Sequence, residues 1–163
     1  FFVLICTYSN AEQKTVYLDM KYILNNCKAG KAAQDYLAKS FKNNQEQFQS
    51  DEKKLKEQES DLLAKKNEIS KEDYKKKADS LRNQVLEYQT SRRSAVEKIA
   101  KQRQDARNKL LKEITPILEA YTKENGISLV IDKKNLVMGD TDLDITNLVI
   151  EKLNKALPSI KLN

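Results

Sequence analysis

The side chains best placed to do chemistry in this sequence are cations. Between Arg92 and Lys112 stand Arg92, Arg93, Lys98, Lys101, Arg103, Arg107, Lys109 and Lys112, against the two acids Glu97 and Asp105. The local excess of six positive charges equals that of the whole chain. A second cluster, Lys65, Lys66, Lys71, Lys75, Lys76 and Lys77, is interleaved with Glu68, Glu72 and Asp73. Charge of this density attracts anionic partners, whether acidic polypeptide, anionic lipid or nucleic acid, over a distance set by salt screening. A solvated helix face is the competing explanation for both clusters. Nucleic acid is the poorest match, because the stretch from Arg92 to Lys112 has no aromatic platform and no groove-reading motif.

Enzymatic chemistry finds little support. The chain has no His, which removes imidazole general bases and the usual zinc sites. No Gly-rich phosphate loop occurs. The carboxylates fall at helical charge-pair spacing with Lys and Arg. Asp140, Asp142 and Asp144 alternate as calcium ligands do, but the EF-hand glycine and terminal glutamate are missing. The expectation is a protein without catalytic residues, cofactor or metal.

What must position the cations is a pair of long helices. A third of the residues are charged, and there are only three Gly and two Pro in 163. Phe41, Phe48, Leu55, Leu62 and Ile69 recur every seven residues, with polar Asn44, Asp51, Gln58 and Lys65 at the complementary positions. This is half a coiled-coil seam, and it predicts a weakly held first helix over Lys28–Lys66. Its cap is Asn26 or Cys27. Ser70-Lys71-Glu72-Asp73 has the capping pattern of a new helix start. Tyr74, Ala78, Leu81, Val85, Tyr88, Ala95 and Ile99 then follow in steps of four and three, interrupted at Arg92. The two helices form an antiparallel hairpin with its tip near residues 67–70. Phe41, Phe48 and Tyr74 belong to its seam.

The first helix, at about 1.5 Å per residue, is roughly 58 Å long; the second, running to Asn125, is roughly 82 Å. The surplus beyond Lys109 is apolar: Leu110, Leu111, Ile114, Ile117, Leu118 and Tyr121. Pro116 should kink or restart the helix there. A small body therefore comprises residues 12–27 and 110–163, and an arm 28–109. The body has a half-buried strand at Lys14–Asp19 and a turn-like segment around Ile23-Leu24. Two further strands follow, Ile127–Ile131 and Leu136–Met138, then a final helix capped by Asp144 or Thr146 and stopped by Pro158. The fold class is α+β, mostly α: a coiled-coil arm on a small β-body. Strands this few and short leave open edges, which points to association between copies.

The first eleven residues read as the remnant of a signal peptide. Phe1-Phe2-Val3-Leu4-Ile5-Cys6 is an apolar run too short to span a bilayer, and Ser9-Asn10-Ala11 suits signal peptidase. A buried first strand is the alternative reading. Cleavage before Glu12 would leave Cys27 as the one thiol.

The arrangement resembles the Skp/OmpH family of periplasmic chaperones over nearly the whole processed chain. The resemblance is carried by Val16-Tyr17-Leu18-Asp19 to Ile23-Leu24, by Ala29-Gly30-Lys31-Ala32-Ala33, and by Pro116-Ile117-Leu118. It continues in Glu124-Asn125-Gly126-Ile127-Ser128-Leu129-Val130-Ile131-Asp132 and in Asp144-Ile145-Thr146 with Val149–Asn154. The chain departs from the family at Cys27, where a small polar residue is usual, and in the sparse seam of its first helix. The resemblance implies a homotrimer whose strands meet in a shared β-body and whose hairpins surround a cavity. It implies that unfolded outer-membrane β-barrel proteins are held there without ATP, in the periplasm. The expected contact between copies is Val16, Leu18, Leu129, Ile131, Leu136 and Met138. The expected surface for clients or an anionic lipid surface is Arg92, Arg93, Lys98, Lys101, Arg103, Lys75, Lys76 and Lys77. A structural tether that binds envelope components without holding clients is the alternative.

Overall fold

A computed structural model describes residues 13–162, so the signal-remnant reading of residues 1–11 lies outside the described residues. The elements are β1 (Lys14–Leu18), α1 (Met20–Asn26), α2 (Lys28–Ala64), α3 (Lys71–Asn125), β2 (Ile127–Asp132) and α4 (Thr146–Ala156). Single 3-10 turns occupy Lys65–Asn67, Lys133–Asn135 and Thr141–Leu143. Two compact units result: one from the N-terminal segment through Lys31 with Arg107–Ile160, the other chiefly Ala32–Ala106.

The first unit is closed by a parallel pair. β1 runs beside β2 in the register Thr15↔Leu129, Val16↔Val130, Tyr17↔Ile131 and Leu18↔Asp132. A parallel pair requires a crossover, here everything from α1 to α3. The strand expected to be half-buried is covered on both faces: Val16, Tyr17 and Leu18 are all buried. Val16 and Leu18 join Ile23, Cys27, Ala29, Leu110, Ile114, Ile145, Val149 and Leu153 in one core. On the other face the Tyr17 ring lies close against Gly139.

Two residues expected at the contact between copies belong to this core: Val16 and Leu18 are 4% and 2% exposed within their own chain. The third expected strand is absent. Asp132 turns the chain by accepting a hydrogen bond from the Lys134 N–H (3.3 Å), and Leu136–Met138 leaves the sheet without a pairing partner. Alternation alone does not make a strand when no neighbour completes its ladder.

The segment read as a turn around Ile23-Leu24 is α1. Asp19 caps it by accepting from the Tyr22 N–H (2.8 Å), and Ile23 is its one fully buried side chain. Cys27 then starts α2: its Sγ accepts from the Gly30 N–H at 3.3 Å, and the Lys28 N–H donates to Asn154 Oδ1 of α4 at 2.7 Å. Burial pushes the Cys27 thiol above its ordinary pKa despite that backbone bond, so this cysteine is a neutral cap. Gly30 is required by sterics, because a Cβ there would lie 2.0 Å from the Leu24 carbonyl oxygen.

α3 passes through Pro116 without restarting, so of the two effects expected there, a kink or a restart, the restart does not occur. Proline removes one N–H from the ladder and leaves the Lys112 carbonyl without its intrahelical donor. Burial of Leu110 and Ile114, the latter 1% exposed, keeps the helix in place around the defect. Gly126, at φ +64°, ends α3 in the left-handed conformation that a cap of this type needs.

α4 is pinned to the end of β1 by a polar relay. The Asp19 N–H donates to Thr146 Oγ1 (2.9 Å), the Thr146 N–H donates to Asp144 Oδ1 (2.9 Å), and Lys133 Nζ lies 3.6 Å from Asp144 Oδ2. Partial burial raises the Asp144 pKa, but the bonds from Thr146 and the charge of Lys133 outweigh it, and the net shift is downward.

This packing sets the expected behaviour of three variants. Gly30→Ala should destabilise the first unit by about 2 kcal/mol or more, since overpacking against backbone outweighs the roughly 1 kcal/mol gained in helix propensity. Gly126→Ala, with open space around it but a positive φ, should cost about 1–2 kcal/mol; urea titrations of both variants check the order. Because the folded-state pKa of Asp144 is depressed, its contribution is present above the ordinary carboxylate pKa of about 3.9. It is lost as pH falls through the folded value. Asp144→Asn should therefore lower stability at neutral pH and leave it unchanged near pH 2, a convergence that melts at both pH values will show.

Candidate functional site

The second unit is the pairing of α2 with α3. On α3 up to Ala106 the half-buried and buried positions are Tyr74, Ala78, Leu81, Val85, Tyr88, Ala95, Ile99, Gln102, Asp105 and Ala106; the first seven are the four-three row read from the sequence. Arg92, the interruption, is exposed. Ser70 caps α3 by accepting from the Asp73 N–H (3.0 Å) while its hydroxyl donates to Asp73 Oδ2 (2.7 Å). On α2 the facing row is Ala33, Leu37, Ser40, Asn44, Phe48, Asp51, Leu55 and Leu62. Phe41, assigned above to the seam, is instead 57% exposed. Ser40, Asn44 and Phe48 are two four-residue steps in succession, a stutter that shifts the row before Phe48 and gives the inner place to Ser40.

The register is fixed by one polar-aromatic clasp. The Phe48 and Tyr88 rings meet edge to face at 6.0 Å between centroids. The Tyr88 hydroxyl donates a long bond (3.5 Å) to Glu52 Oε2, and Lys56 Nζ donates to Glu52 Oε1 at 2.7 Å. The Lys56 bond and charge hold the Glu52 carboxyl below its ordinary pKa and raise the Lys56 ammonium. Between the clasp and the tip the helices leave a shallow groove of about 600 Å³ floored by Leu55, Leu62, Leu81 and Val85 and rimmed by Lys56, Glu59, Arg82 and Arg92. Leu63 borders it with 58% of its surface exposed. The polar seam and shallow floor offer many weak contacts and no deep pocket.

The predicted basic residues are all exposed. Arg93 pairs with Glu97 (3.2 Å), Lys101 with Asp105 (2.7 Å) and Lys76 with Glu72 (3.0 Å), all exposed helix pairs of small energetic weight. Arg92 reaches the groove rim, and Lys77 borders a second groove with Asp61, Lys65 and Gln84. Lys75, Lys98 and Arg103 lie apart on α3. These eight cations line a surface and do not converge on one point. The aspartates of the 140–144 loop act as local caps: Asp140 accepts from the Asp142 N–H (3.0 Å) and Asp144 from Thr146.

A sequence model of the family described as Outer membrane protein (OmpH-like) matches residues 14–153, through both units. The chain belongs to the OmpH-like family. No curated protein sequence matches it significantly. The crystal structure of a candidate outer membrane chaperone (OmpH-like) from Caulobacter crescentus CB15 has the same fold, with a TM-score of 0.84. It shares 15% of residues with this chain, over 99% of this chain and 96% of that one. At that identity the likeness is one of fold. No helix among the described residues is long and apolar enough to cross a membrane.

In this OmpH-like chain the remaining expected contact residues divide. Leu129 on β2 and Met138 after it are 53% and 87% exposed, and Ile131 and Leu136 are half-buried. The reading missed Val137, the most exposed apolar side chain beside them at full exposure. It also missed Leu63, Leu86 and Val96, all more than half exposed. The signal for all three was available, since Leu63, Leu86 and Val96 each follow a seam residue by one position.

The clasp yields a test. Phe48→Ala should loosen the middle of the hairpin, removing an aromatic pair worth about 0.5–1.5 kcal/mol beyond its burial. Tyr88→Phe, which loses only a long and half-exposed bond, should change little. Limited proteolysis should show faster cleavage between residues 40 and 95 in the first variant alone.

Proposed function

We propose that the chain is an ATP-independent periplasmic holding chaperone that captures unfolded outer-membrane β-barrel proteins between helical arms of a homotrimer. The observation that carries the reading is the match to the OmpH-like family over residues 14–153. The likeness in fold to a candidate outer membrane chaperone supports it. So does the surface of the second unit. A holding chaperone needs many weak contacts, so that no client segment is immobilised and release costs little. Exposed Phe41, Leu63, Leu86 and Val96 scattered among cations provide such contacts. Acidic clients would be drawn in by Arg92, Arg93, Lys98, Lys101, Arg103 and the tip lysines Lys75, Lys76 and Lys77, with capture slowing as salt rises. The same cations offer a surface to anionic lipid.

For the trimer, Leu129 and Met138, with Ile131 and Leu136 beside them, form the contact between copies, and Val137 joins them. β1 and β2 are the whole sheet among the described residues, so edge pairing remains open to another copy.

The test is light scattering on residues 12–163, alone and with a urea-unfolded outer-membrane barrel diluted into it. The reading predicts a trimer that takes up one client, without nucleotide, and keeps it in solution. A monomer, or a trimer beside which the client aggregates, would sink the reading and favour the tether.

A further inference from the structure

Four residues offered to clients above, Leu86, Arg93, Val96 and Arg103, stand on one exposed face of α3 in an order that holding an extended chain does not require. Starting at Arg82, the residues Arg82, Leu86, Gln89, Arg93, Val96, Ala100 and Arg103 follow in strict steps of four and three. All are exposed. They make a second heptad row, one position to the side of the buried row, with apolar members and no acid between Arg82 and Arg103; toward the tip the same row continues through Asp79 and Lys75. Leu86 and Val96 leave 55% and 60% of their surface in water. Three of the four arginines in Ala32–Ala106 lie on the row between Arg82 and Arg103, and none of the lysines does.

We propose that this row is a docking surface for an acidic amphipathic helix. A four-three row is what a neighbouring helix reads along its own length, and a random or extended chain has no use for the period. Leu86 and Val96, ten residues apart, are separated by about 15 Å, which suits two apolar anchors about three turns apart on a partner. Arg82, Arg93 and Arg103 recur at 11 and 10 residues, so that a partner with Glu or Asp flanking its apolar row meets one cation about every three turns. The guanidinium group binds a carboxylate through two parallel bonds, which the lysine ammonium cannot do. Arg82 and Arg93 now hold Asp79 (2.8 Å) and Glu97 (3.2 Å) of their own helix, with the arginine side chains 71% and 83% exposed. Exposed pairs of this kind exchange for an external carboxylate at little cost. An anionic membrane would also be attracted by the charge, but it gains nothing from heptad spacing or from arginine over lysine. The proposal does not rest on the chaperone reading.

The experiment uses fluorescence anisotropy with the whole chain. The probe is a labelled peptide of about three heptads, with a single Leu and Ala row flanked by Glu. A scrambled peptide of the same composition and vesicles containing phosphatidylglycerol complete the set. The ordered peptide should bind and gain helicity by circular dichroism, with the scrambled one weaker by about tenfold or more. Arg82→Lys/Arg93→Lys/Arg103→Lys, which keeps the charge, should lose most of the affinity, and so should Leu86→Ser/Val96→Ser. All five positions are exposed, so unchanged thermal melts are expected and confirm intact folding. Equal binding of both peptides, full retention of affinity by the lysine variant, or binding of vesicles without binding of the peptide would each overturn the proposal.

Discussion

The first unit depends on a contact between segments more than a hundred residues apart. β1 and β2 pair in parallel, and neither forms a ladder with any other strand among the described residues. Closing so long a loop costs entropy before any pairing energy returns, and the cost grows only slowly with loop length. The insertion can therefore be long, but the closure itself must be secured by packing. Leu18, Ile23, Ile114, Val149 and Leu153 supply that packing, each essentially removed from water. The polar relay of Asp19, Thr146, Asp144 and Lys133, with Asn154 capping α2, then ties the helices to the strand ends.

The second unit is built on the opposite principle. Its rows mix apolar knobs with Ser40, Asn44, Asp51 and Gln102, and one aromatic clasp with a Glu52–Lys56 pair sets its register. Hydrophobic stabilisation scales with apolar area, and little is invested here. What a stable globule would bury is left on the surface as isolated side chains among cations. For a protein proposed to hold unfolded chains, weak internal packing and a mixed surface are one property seen from two sides.

Much of this was legible in the sequence because it was local. The Ser70 capping box, the Asn125-Gly126 stop and the four-three row from Tyr74 each need only near neighbours, and each appears where it was read. Cys27 as a cap was among the alternatives. Part of what failed was non-local. Val16 and Leu18 have the period of a strand, but period does not say whether the apolar face meets the chain's own helices or another copy. Leu136–Met138 alternates like a strand, yet a strand exists only with a partner. Pro116 does not restart α3, because burial of its neighbours Leu110 and Ile114 holds the helix together. α1 was hidden because a seven-residue helix with one buried side chain has no stripe to detect, though Asp19 was a usable start signal. Phe41 fell off the seam because one stutter shifts the phase of every residue before it.

The most direct measurement is hydrogen–deuterium exchange on residues 12–163, with and without an unfolded outer-membrane barrel. If the paired strands form the anchor and the helix pair handles clients, residues 14–18 and 127–132 exchange slowly in both states. Protection then appears on client addition within residues 32–106. Client-dependent protection confined to the strands and α4, with residues 32–106 unaffected, would contradict the account.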